Sequence, residues 1–159
     1  MTPRESAQRA AQQTAQETAQ ETAQRCAQIM WEEDTASRSL GMELLEVHPG
    51  RSTLRMRVTE DMVNGHGIGH GGFTFTLADS AFAFACNTYN RRTVARECEI
   101  SYLAPTHLGN MLTAEAVERS REGRDGTYDV TVRSGDLVVA RFVGHGREIR
   151  GIFFDGDHG

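Results

Sequence analysis

Hydrophobic and polar positions divide the chain into three regimes. As far as Ala27 an Ala-Gln pair returns every four residues, at Ala7, Ala11, Ala15, Ala19, Ala23 and Ala27, with Thr14, Thr18, Thr22, Glu17 and Glu21 in fixed phase. A period of four drifts by about 40° per step around a 3.6-residue helix. The repeat therefore has helix propensity but almost nothing large to bury. Residues 1–27 read as a low-complexity extension, frayed helix or disordered, ahead of a single domain over residues 28–159.

Apolar residues then return. Ile29, Met30, Trp31 and Leu40 make one face of a short helix, with Gly41 placed to end it. Leu44, Val47, Leu54, Met56 and Val58 flank His48-Pro49-Gly50-Arg51, a turn signal that predicts a β-hairpin. From Phe73 to about Tyr89 neither proline nor glycine occurs and apolar residues lie nearly all round, so this helix must be wrapped. Beyond it the period falls to two, clearest in Val94, Arg96, Cys98, Ile100 and Tyr102 and in Tyr128, Val130 and Val132. The turns are expected at 105–110, 123–126 and 134–136. The order predicts an α+β domain: a long central helix gripped by a strongly curved antiparallel sheet.

Composition narrows the function classes. With 159 residues, 38% hydrophobic and 25% charged, the chain is ordinary globular material, and a net charge of -5 argues against nucleic acid as a general partner. Cys26, Cys86 and Cys98 are odd in number and lack CxxC spacing, which suggests neither a disulfide framework nor a thiolate zinc site. No apolar run approaches the roughly 18 residues of a membrane span, and the start lacks a signal-peptide pattern. The expectation is a cytoplasmic protein with no membrane partner.

The chemistry concentrates in NGHGIGHGGFTFTLADSAFAFACN, Asn64 to Asn87. Gly71 and Gly72 stand where the helix begins, its amides unpaired and its dipole positive, and without a Cβ they admit a substrate closely. An oxyanion hole is the natural reading. Asp79 is the only carboxylate in the apolar run, and burial should raise its pKa unless Thr76, Ser80 or a partner amide donates to it. Eight residues separate Gly71 from Asp79, roughly 12 Å along a helix axis, too far for one chain to bring both to one carbonyl. His66 and His70 have HxxxH spacing, but the intervening glycines exclude a helix there, so no metal is expected. The loop lacks the GK[ST] ending of a phosphate-binding P-loop.

The run HGGFTFTLADSAFAFA, preceded by NGHGIG and followed by antiparallel strands, resembles the hotdog-fold acyl-CoA thioesterases of the phenylacetic acid degradation (PaaI) type over roughly residues 30–150. The resemblance implies hydrolysis of an acyl-CoA, with an aryl acyl group such as phenylacetyl or hydroxyphenylacetyl. Coenzyme A is then part of the substrate and no cofactor is needed. It implies a homodimer joined through a shared sheet, in which Asp79 of one chain, as nucleophile or general base, works with Gly71 and Asn64 of the other, and a dimer of dimers beyond that. Gly71 ranks above Gly72 as oxyanion donor, and His70 is expected near the thioester sulfur. Thr76, Ser80 and Phe73 belong to the expected substrate surface, with Arg121 and Arg124 as candidates for the coenzyme A phosphates. Two alternatives share the fold: an enoyl-CoA hydratase or dehydratase, which the absence of histidine in the helix disfavours, and an acyl-CoA-binding module without turnover.

Overall fold

A computed structural model describes residues 1–156. Two helices, α1 (Pro3–Glu33) and α2 (Thr35–Ser39), precede the hairpin β1 (Glu43–His48) and β2 (Arg51–Arg57). A 3-10 turn at Glu60–Met62 leads through the glycine loop to α3 (Gly71–Cys86). Four strands follow: β3 (Thr93–Tyr102), β4 (Met111–Glu122), β5 (Asp125–Ser134) and β6 (Leu137–Glu148). All six strands form one antiparallel sheet in the order β1-β2-β4-β5-β6-β3. The α+β arrangement is the expected one. The domain expected from residue 28 ran to residue 159, and residues 157–159 lie outside the described part.

The N-terminal repeat is helical throughout. It is not frayed: α1 is one helix of 31 residues. Its start is locked by a capping box, in which the Thr2 hydroxyl accepts from the Glu5 amide and the Glu5 carboxylate accepts from the Thr2 amide, with Pro3 opening the helix. Its far end is held by tertiary contact, because Ala23, Cys26 and Ala27 are buried and Gln20 Nε2 donates to the Val47 carbonyl of β1 at 2.8 Å. A boundary after Ala27 therefore falls inside a helix. Before Gln20 every side chain is exposed, so the docked end orders the repeat while propensity and capping carry the rest.

The hairpin turn is Pro49-Gly50, with Gly50 at φ +71°. The β4–β5 and β5–β6 turns fall at Gly123-Arg124 and Gly135-Asp136, each opening on a glycine at φ +59°. β3 departs from the simple alternation. A bulge at Arg96 shifts the register, pairing Ala95 with Gly146 and Cys98 with Gly144, so Ala95 rather than Val94 shares a face with Cys98, Ile100 and Tyr102.

α3 lies across the sheet and buries Thr74, Leu77, Ala78, Ala81, Phe82, Phe84, Ala85 and Cys86. Burial of the larger of these contributes roughly 1.5–3 kcal/mol each. Phe82 packs against Tyr128 and Phe142, with ring centroids 5.6 and 6.0 Å away, and its other neighbours are Gly144 and Gly146 of β6. A Cβ on Gly144 would stand 2.6–2.8 Å from the Phe82 ring. The glycine is thus the space into which the helix's central aromatic fits. Gly144→Ala is expected to destabilise the fold by about 1–3 kcal/mol through overpacking. Denaturant unfolding checks this, and an unchanged midpoint would show that Phe82 does not depend on this gap.

Candidate active site

The glycine loop is organised by Asn64. Its side-chain oxygen accepts from the amides of His66 and Ile68 at 2.9 and 3.2 Å, while its own amide donates to the Ile68 carbonyl as far as backbone bonding goes. The Nδ2 donor of Asn64 is left without an acceptor among the described residues. Backbone bonds from Gly69 to Thr106, from His70 to Met62 and from Leu108 to Gly67 fasten the loop to its surroundings. Gly67, at φ +73°, needs the conformational freedom of glycine.

His70 is the N-cap of α3. Its Nδ1 accepts from the Gly72 amide at 2.9 Å, so in the neutral ring the proton sits on Nε2. The capping bond separates the two glycines. Gly72 N–H is engaged, whereas Gly71 N–H has no acceptor among the described residues and remains available at the positive end of the helix. Gly71 also borders a cleft of about 420 Å³ with Gly69, Thr74, Tyr102, Leu103, Pro105 and Val139 among its walls. His66 is exposed on the loop and His70 caps the helix, so the two do not share a helical face.

Asp79 is half-buried on α3. Burial pushes its carboxyl above the usual aspartate range, and the thiol of Cys98 opposes the shift by donating to Oδ1 at 3.9 Å. Cys98 can do so because burial and the nearby Asp79 push its own pKa up to about 11, keeping the S–H protonated. The hydroxyls considered as donors are committed elsewhere. Thr76 Oγ1 donates to the Gly72 carbonyl at 2.8 Å. Ser80 Oγ lies 2.8 Å from Ser37 Oγ, whose own hydrogen goes to Asp34 at 2.6 Å, so Ser80 is the donor and joins α3 to α2. Within one chain the Ser80 hydroxyl thus serves packing between helices.

The aromatics divide. Phe82 and Phe84 are core, whereas Phe73 is only partly buried and meets the His70 ring edge-on at 6.0 Å. Arg121 and Arg124 do come together, in a polar cleft of about 270 Å³ that also includes Arg91, at the C-terminal end of α3. Arg121 stacks over Tyr89 and faces Glu118 at 3.8 Å; Arg124 donates to the Glu148 carbonyl. Glu118 also accepts from the hydroxyls of Tyr89 and Tyr128. Gly71 and Asp79 of the same chain stay apart, on one helix and eight residues from each other. A cavity of about 610 Å³ between α1 and β1 lies along the opposite edge of the sheet from β3.

Sequence reasoning missed Cys98, Tyr102 and Arg91. The alternation along β3 did group Cys98 with Tyr102, and that was the signal available; what it lacked was the partner of each on α3.

A model of the thioesterase superfamily matches residues 66–140. Acyl-coenzyme A thioesterase PaaI of Escherichia coli is 39% identical over 126 residues, which is 79% of this chain and 90% of that protein. The solved structure of the E. coli PaaI protein from the phenylacetic acid degradation operon superposes with a TM-score of 0.82 at 36% identity, covering 84% of this chain and 97% of that one. A mutant structure of the phenylacetic acid degradation protein PaaI from Thermus thermophilus gives 0.71 at 38% identity, covering 73% of this chain and all of that one.

The raised pKa of Asp79 has a consequence for stability. Folding favours the neutral carboxyl, so the associated stability is fully present below the ordinary aspartate pKa near 4 and is lost as pH rises through the raised value. Asp79→Asn imitates the neutral form at every pH. Its thermal midpoint is expected to exceed that of the wild type near neutrality, with the gap closing toward about pH 4. A midpoint below wild type at neutral pH would show that the fold needs the charge.

Proposed function

This chain belongs to the thioesterase superfamily, and we propose that it hydrolyses the thioester bond of an acyl-coenzyme A to a free acid and coenzyme A. The observation that carries the reading is the free Gly71 amide at the start of a buried helix that also bears the half-buried, raised-pKa Asp79. A thioester carbonyl gains negative charge on oxygen as it is attacked, and a helix-terminal N–H aimed at it stabilises that charge. Asp79 then acts as nucleophile, giving a mixed anhydride, or as general base on water, and its raised pKa brings it nearer the operating range of a base.

The two groups meet across a dimer in this reading. β3 is an edge strand of ten residues with exposed apolar side chains at Val94, Tyr102 and, just beyond, Leu103. Such an edge calls for pairing. Joining β3 to its copy about a two-fold axis continues the sheet and brings Asp79 of one subunit toward Gly71 and Asn64 of the other, with a dimer of dimers beyond. Asn64 Nδ2 is free to hold the substrate carbonyl or the attacking water, and His70 Nε2–H is free to face the thioester sulfur. Phe73 and Thr76 lie near enough to the helix start to shape the acyl site, and an aryl group such as phenylacetyl or hydroxyphenylacetyl accords with the names of the similar proteins. Arg121 and Arg124, with Arg91, offer a cleft for coenzyme A phosphates. The setting is the cytoplasm, where the three free cysteines stay reduced.

A thiol-release assay over a panel of acyl-CoA and aryl-acyl-CoA substrates tests the activity. Asp79→Ala is expected to lower kcat by roughly 100-fold or more. No release from any member, full activity in the variant, or hydration of an enoyl-CoA instead would each refute the reading. Shared sites have their own signature. Asp79→Ala and Gly71→Pro, the latter removing the amide itself, should each be nearly inactive, yet a randomly reassociated mixture should recover about a quarter of wild-type activity. A mixture that stays as inactive as its components would place both groups in one subunit.

A further inference from the structure

One peptide plane at the start of α3 is held at both ends by side chains. Its N–H, that of Gly72, donates to His70 Nδ1 at 2.9 Å; its carbonyl, that of Gly71, accepts from the hydroxyl of Tyr102 at 3.0 Å. The Tyr102 ring lies against the Gly71 α-carbon, and a Cβ there would stand 3.0–3.2 Å from ring carbons and the hydroxyl. The free amide of Gly71 belongs to the adjoining peptide, so the same α-carbon carries both the clamp and the available donor.

Two consecutive glycines have the broadest backbone freedom in the chain, and a helix's first turn has no preceding turn to bond to. An oxyanion donor on such a segment would wander unless something outside it fixed its direction, and catalysis by a preformed donor depends on that direction being set before charge develops. Tyr102 supplies the missing constraint. It sits at the end of the edge strand β3, 31 residues away in sequence, and is 54% exposed. An aromatic so exposed adds little to the core, which makes its close fit on Gly71 the informative part of its environment.

Resting on the thioesterase reading above, we propose that Tyr102 is a positioning residue for the reaction. Its ring packs on Gly71 and its hydroxyl binds the Gly71 carbonyl, and together they aim the Gly71 N–H at the substrate carbonyl. It acts through Gly71 and performs no chemistry itself. The same contact gives a reason for glycine at 71 beyond substrate access, since the ring occupies the space of a Cβ.

Steady-state kinetics of the full chain test this with Tyr102→Leu, Tyr102→Phe and Gly71→Ala, the last also placed in the Tyr102→Leu background. Tyr102→Leu is expected to lower kcat about tenfold with KM within about twofold of wild type, and Tyr102→Phe, which keeps the ring, to retain about a third of kcat. Gly71→Ala should cost less in the Tyr102→Leu background than in the wild type, because the ring that excludes the Cβ is gone. A Tyr102→Leu kcat within twofold of wild type, a loss confined to KM, or strictly additive effects overturns the proposal. If Tyr102→Leu fails to fold, Tyr102→Phe decides by itself, an unchanged kcat being the refuting result. Amide hydrogen exchange at Gly72 gives a readout independent of turnover: it should quicken about tenfold in whichever of the two Tyr102 variants folds, and an unchanged rate refutes the clamp. A wild type inactive on every acyl-CoA but showing the expected exchange would sink the thioesterase reading and leave the clamp standing.

Discussion

The seat of Phe82 on Gly144 and Gly146 sets how closely α3 approaches the sheet. A helix with so few polar side chains cannot face water, and a sheet with a side chain at Gly144 would hold it off. With the gap filled by the Phe82 ring, the helix sinks until Leu77, Ala78, Ala81 and Ala85 have no exposure at all. The depth of Asp79 follows from this, and so does its raised pKa, because the carboxylate is carried down with its neighbours. A shallower helix would leave the acid fully hydrated.

The ends of α3 are then fixed by different means. At the N-terminus the His70 cap and the Tyr102 clamp hold the first turn. At the C-terminus Asn87 accepts from the Thr93 amide and donates to the carbonyls of Ala83 and Thr93, while Thr88 ties Ala85 to the Gly50 turn. The helix is thereby fastened to β3 at both ends and to the hairpin at one. A rigid rod spanned between loops in this way is a good frame for groups that must hold their spacing.

Much of this was legible in the sequence, because the signals concerned are local. Pro49-Gly50, the Gly123 and Gly135 turns, the length of α3 and the period of two beyond it depend on residues close together in the chain, and the structure follows them to within a few residues. The glycine loop and helix that carry Asn64, His70, Gly71 and Asp79 were also legible as contiguous segments, although Gly71 and Asp79 stay apart within one chain. What escaped was contact between distant segments. Nothing near Ser80 in sequence indicates that Ser37 takes its hydroxyl, nothing near Gly71 indicates Tyr102, and the bulge at Arg96 depends on the pairing with β6. The docking of the N-terminal helix escaped for a related reason: its repeat buries little of itself, and the residues that anchor it lie at its end and on β1.

The repeat in α1 is hydrogen-bonded to the domain at Gln20, and the side chains earlier in the helix are exposed. Each four-residue unit adds about 6 Å of helix and no contact. Gain or loss of a unit by slippage in a repetitive coding sequence would lengthen or shorten the projecting rod without moving the docked end, the sheet or the site. The segment is therefore one in which length can drift between otherwise equivalent proteins, while the four residues from Ala23 to Cys26, and Ala27 after them, stay tied to the shape of the surface beneath.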